Sequence, residues 1–152
     1  MQPIELSLAV KIAIIFSGIF LWVGMLTGIW KYLQIRKSSQ SRAHYYVDIA
    51  HRSSLLYAPA TLILAVLAHY SAFSEQVNLI CVVANVAFFA FAISAYALHG
   101  FLKDTTNQFK QPHQLGKFHL PGFVLTLFMI GLIVAEFGGT SILLLGVIQG
   151  LF

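Results

Sequence analysis

The residues able to do chemistry in this chain of 152 are its six histidines and a few polar partners. The densest run is "AHYYVDIAHR", residues 43 to 52, in which His44, Asp48 and His51 fall at i, i+4 and i+7. On a helix these three share one face. A carboxylate one turn from an imidazole orients the ring and raises its basicity, as it does around bound metals. Asn85, Phe89, Ala92, Tyr96 and His99 make a second stripe in steps of four and three, and Ser54, Tyr57 and Thr61 a third. Polar groups in lipid are expensive, so these stripes are expected to face one another. That predicts a polar pocket between the second and third helices, with His51, Tyr57, Tyr96 and His99 converging on it. Neutral imidazoles are ligands for haem iron. His51, His99, His44 and Asp48 are therefore the candidate cofactor-binding set, and Tyr57 and Tyr96 supply the hydroxyls expected to face it. A plainer reading competes: histidines and tyrosines rest at headgroup level, and Asp48 pairs locally with Arg52 at i, i+4.

The elements that must position these groups are membrane helices. The chain is 59% hydrophobic and only 9% charged, against about 25% charged in soluble domains. Its apolar residues form four blocks, about 8–30, 53–72, 77–100 and 120–145, each near the roughly 20 residues that cross a bilayer. The fold class expected is all-α, a polytopic integral membrane four-helix bundle making one transmembrane domain over 1–152. The first block exceeds a signal peptide's core and no A-x-A-like site follows, so it is expected to stay as a span. Gly24-x-x-x-Gly28, with Ser17 one heptad earlier, permits close helix approach; packing within one chain is the favoured reading, oligomerisation the other. Cys81 is alone and reads as a small packing residue. The fourth block leaves two options open, a break at "EFGGTS" (136–141) or one long tilted helix. Glu136 reads as interfacial, near the outer end of that helix, with an intramembrane acid of a proton-coupled transporter as the alternative.

The net charge of +4 is unevenly spread. Lys31, Arg36, Lys37, Arg42 and Arg52 lie in a first loop at 31–52, and Lys103, Lys110 and Lys117 in a third at 101–119. The second turn has Glu75 and no basic residue. The positive-inside rule makes loops one and three cytoplasmic and both termini external, in an inner (cytoplasmic) membrane. Topology thus accounts for the charge, and no nucleic-acid partner is expected, only membrane lipids and a small lipophilic molecule. Cys-x-x-Cys, H-E-x-x-H, P-loop and G-x-S-x-G signatures are absent, and no H-x-x-x-H boxes suggest a di-iron site.

"GMLTGIW", a polar loop and then "AHRSSLLYA" at 50–58 resembles the small four-helix family of styrene oxide isomerase and hydroxylaminobenzene mutase. Its members pair a glycine-rich end of helix one with an Ala-His opening helix two, then an asparagine six residues on and a small residue. Ala50, His51 and Ala58 match, while Tyr57 stands in the asparagine's place. The likeness covers about the first half of the chain, with length and span number agreeing over the rest. It implies a homo-trimer holding haem b between subunits, His51 on the iron, and iron polarising an epoxide oxygen during ring opening to a carbonyl. A phenol at Tyr57 would hydrogen-bond at the iron or ligate it, which changes the substrate expected. The position of Tyr96 as a substrate contact follows from its stripe and not from the family. Two rivals stand beside this isomerase: a haem or quinone electron carrier with His51 and His99 as axial ligands, and a cofactor-free accessory subunit or small transporter.

Overall fold

The computed structural model describes residues 5–152. Helix α1 covers Leu8–Lys37, α2 Tyr45–Tyr70 and α3 Glu75–Leu102. The fourth span is α4 (Gly122–Ile133), a π-helical turn (Val134–Gly138) and α5 (Gly139–Leu151). All four spans are long and apolar enough to cross a membrane. The protein is an all-α, multi-pass four-helix bundle, with Trp22, Leu56 and Ile80 among the large apolar side chains left facing outward.

The helices outlast their apolar blocks. The first connection, 31–52 by hydropathy, narrows to residues 38–44. Arg36 and Lys37 occupy the last turn of α1, and Asp48 the first turn of α2. Those charges suit the helix dipoles, so each chain end leaves hydrocarbon without leaving the helix.

Helix α1 packs chiefly on α2, α2 on α3, and α5 on both α2 and α3. The small-residue motif serves the α1–α2 contact inside the chain. A Cβ on Gly24 would lie 2.5 Å from Leu55 Cδ2, and one on Gly28 2.9 Å from His51 Cε1. Ser17 Oγ donates to the Ala58 carbonyl at 2.8 Å. Cys81 is buried and unpaired.

Two ends of the bundle differ. One carries connections 38–44 and 103–121, and is called here the basic end. The other holds the short turn 71–74, whose Ala72 N–H donates to the Gly146 carbonyl of α5 at 2.9 Å. There the Glu75 carboxylate accepts the Ala9 N–H at 2.9 Å, satisfying one of the free donors that open α1.

The fourth span does not break at 136–141; it continues through the π turn. Asn85 Nδ2 donates to the Ala135 carbonyl in that turn at 3.1 Å and to the Cys81 carbonyl at 2.9 Å, and Asn85 Oδ1 accepts from Thr140. A buried amide with its bonds made ties α3 to the irregular turn. Helix α4, by contrast, buries no residue. Phe128 rests against Phe88 and Phe91, with ring centroids 5.4 and 4.4 Å apart, and these rings hold α4 off the bundle.

The third connection contains strands that hydropathy does not reveal. Strand β1 (His113–Leu115) pairs antiparallel with β2 (Phe118–Leu120) across Gly116–Lys117. Gly116 has φ of 59°, the conformation that a glycine leading a two-residue hairpin turn supplies.

Candidate functional site

The carboxylate–imidazole pair expected from spacing exists, but between different residues. Helix α3 ends at Lys103, whose left-handed φ of 52° turns the chain back on itself. Asp104 thereby reaches His99, and its Oδ1 accepts from Nδ1 at 2.8 Å. The other oxygen, Oδ2, accepts the Gly116 N–H at 2.6 Å, so the hairpin turn closes over the pair. Both side chains are buried, His99 at 8% exposure and Asp104 at 5%. Burial alone would push the Asp104 carboxyl up, but the bonds from Gly116 and His99 together hold it below its ordinary value.

Tyr46 packs its ring on His99 at 5.1 Å and on Tyr96 at 6.0 Å, and its hydroxyl accepts the Gln108 N–H at 2.6 Å. This stack fills the space between α2 and α3 at the basic end, where the sequence predicts a pocket. The open space lies one helix further on. A cavity of about 310 Å³ sits between α3, the hairpin and α4, lined by His99, His113 and the apolar side chains of both helices. It exists because α4 stands away from the bundle.

His51 faces elsewhere. Its Nδ1 bonds to the Gly24 carbonyl of α1 at 2.8 Å, and its ring lies over Gly28. Asp48 does not orient it; that carboxylate is clasped by Lys31 at 2.5 Å and Arg52 at 2.8 Å. The local-pair reading of Asp48 is the one the structure shows, extended across to α1. His44 caps α2, its Nδ1 accepting the Tyr46 N–H at 3.4 Å while its own N–H donates to Gln34. Burial, reinforced by the Lys103 ammonium, holds its imidazole below the ordinary value. His44, Asp48 and His51 thus have separate tasks and separate partners. His51 and His99 likewise differ in partners and neighbours.

Tyr57 stacks face to face on Phe89 of α3, centroids 4.1 Å apart. It therefore points toward α3 while His51, on the same helix, points toward α1. The stripe on α3 does turn inward as expected, with Asn85, Phe89, Ala92 and His99 buried, and Ser54 and Thr61 are buried on α2. With the fourth helix running on to Leu151 and Gly146 bonded to the far turn, Glu136 lies about ten residues, or about 15 Å, below that turn. That places it near the middle of the fourth span, Gly122–Leu151. Glu136 Oε1 is sealed and has no hydrogen-bond partner.

Asp104, Gly116, Tyr46, Gln108 and His113 are the site residues that sequence reasoning missed. A search confined to helical spacing cannot find a contact made where a helix ends and reverses. The one available signal was "QLGKF", a Gly-x turn between apolar residues. Among the described residues no group of three or more His, Cys, Asp or Glu side chains could hold a metal ion. Comparison with family models, curated proteins and solved structures finds no match.

Proposed function

We propose that this protein is a membrane enzyme that binds haem b through His51 and acts on a small lipophilic molecule, its basic end facing the cytoplasm. The observation that carries the reading is the bond from His51 to Gly24. A carbonyl oxygen has no hydrogen to give, so Nδ1 must be the N–H and Nε2 of the neutral ring holds the lone pair. Ligating histidines are oriented in this way, with the second nitrogen donating to a carbonyl or carboxylate. The His51 ring is also only partly covered by its own chain, as a ligand to a group shared between subunits requires.

The residues of the chain divide the work. Gly24 fixes the tautomer and aim of His51, and Gly28 leaves room for the ring. Lys31 and Arg52 engage the Asp48 carboxylate, keeping it from competing for the imidazole N–H. Haem iron, when bound, supplies a Lewis-acid centre. Isomerisation as the reaction, and a trimer as the assembly, rest on the resemblance of "GMLTGIW" and "AHRSSLLYA" to the isomerase family.

The absorption spectrum of detergent-purified protein tests the proposal. The expected result is a Soret band near one haem per subunit, high-spin when oxidised, and lost in His51→Ala. A colourless protein after expression with supplied haem overturns it.

A further inference from the structure

We propose that the cavity between α3, the hairpin and α4 is a binding site for a small aromatic molecule bearing a hydroxyl group, which donates its hydrogen to His99 Nε2. The site is separate from His51 and needs no haem. Haem content reads the one and ligand binding the other, so either can fail alone.

Three observations lead to it. First, a cavity of about 310 Å³ falls at the small end of the range for ligand sites, about 300–1,000 Å³. It equals the liquid volume of about ten waters, enough for one or two fused rings. Second, the walls are apolar and aromatic, with Phe91 and Phe128 in mutual contact at 4.4 Å. Their neighbours Leu98 and Val124 line the cavity and are also exposed on the outside of the bundle. A lipophilic molecule can therefore enter sideways from the leaflet at the basic end.

Third, the polar chemistry selects a donor. Asp104 accepts from His99 Nδ1, which places a ring proton on that nitrogen, so the Nδ1–H tautomer offers Nε2 as an acceptor. That nitrogen makes no hydrogen bond and is not among the sealed unpaired atoms, while the rest of the side chain is more than nine-tenths buried. His113, on the same wall, gives its Nδ1 to the Gln108 carbonyl at 3.0 Å, which leaves a second imidazole acceptor. An ether, an epoxide or a bare hydrocarbon has no hydrogen to offer either ring. An alcohol or a phenol does.

The test is equilibrium binding of tritiated 1-naphthol to the full-length protein in nanodiscs, with 1-methoxynaphthalene as the matched compound that cannot donate. Saturable binding of 1-naphthol is expected, about tenfold tighter than that of the ether, the effect of one buried hydrogen bond. His99→Phe should abolish the tenfold difference. Ser94→Trp, an exposed position on the rim, should block both compounds while thermal stability and haem content stay unchanged. Equal affinity for the two compounds in the wild type would overturn the donor assignment. Purely non-saturable partitioning, or undiminished binding in Ser94→Trp, would overturn the site itself.

Discussion

His51 and His99 each commit Nδ1 to an acceptor and keep Nε2 free, but the acceptors differ in kind. His51 leans on a neutral backbone carbonyl in a neighbouring helix; His99 leans on a buried carboxylate delivered by a loop. A carbonyl aims a ring without adding charge, which suits a ligand to iron. A carboxylate that accepts the Nδ1–H hydrogen bond also raises the basicity of the opposite nitrogen, which suits a ring that accepts from a donor. One imidazole is built between rigid helices; the other depends on a hairpin staying closed. The same side chain is thereby prepared for two different tasks within one small bundle.

The largest effect should come from removing the helix-bound imidazole. His51→Ala is expected to cut haem occupancy by more than tenfold, while His99→Ala leaves it within twofold, as read from the Soret-to-protein absorbance ratio. Equal losses in both would mean that the two rings serve one site and would end the contrast. Asp104→Asn tests the other half. It replaces the charged acceptor of two hydrogen bonds, which is worth about 1.5–3 kcal/mol, measured by thermal unfolding in detergent. Because the folded Asp104 carboxyl is held below its ordinary value of 3.8, its contribution is complete above that pH. It is lost as pH falls through the lower folded value. The wild type should therefore destabilise over that acid window more steeply than Asp104→Asn.

Gly28→Ala sharpens the His51 side. Its methyl would meet the imidazole at 2.9 Å, an overpacking worth about 1–3 kcal/mol, and haem affinity should fall with it. Gly24→Ala meets Leu55 at Cδ2, Cγ and the backbone nitrogen, at 2.5, 2.9 and 3.3 Å, and should destabilise the α1–α2 contact by a comparable amount without its methyl meeting the His51 ring. The smallest effect belongs to Lys31→Ala, which opens a partly exposed ion pair and should cost about 0.2–1 kcal/mol, shrinking further in salt. A larger loss would show that Asp48 positions α1 against α2 more firmly than its exposure suggests.

The spans were legible because lipid enforces hydropathy over some twenty residues, and the inward stripe on α3 was legible because helical spacing is regular. The site was half legible. His99 was found, but its carboxylate was sought one helical turn from a histidine, where Asp48 stands; Asp104 arrives through a left-handed residue at a helix end, which spacing does not encode. The predicted pocket is one helix away from the observed cavity because Tyr46 occupies the nearer space. The position of Glu136 along the fourth span was not legible either, because it depends on where that helix ends, and Gly146 meets the far turn only through a long-range bond.

The π turn at Val134–Gly138 works as a phase shift. One added residue advances a helix by about 100°, so α4 and α5 present faces that an uninterrupted α-helix of this sequence could not combine. Helix α5 is seated on α2 and α3, so removing one residue from the turn would leave it in place and rotate α4. Phe128 would swing away from Phe91, and the wall beside His99 would be dismantled by a deletion about a full membrane half-thickness distant. The azimuth of the cavity wall is thus written in a segment that never touches it.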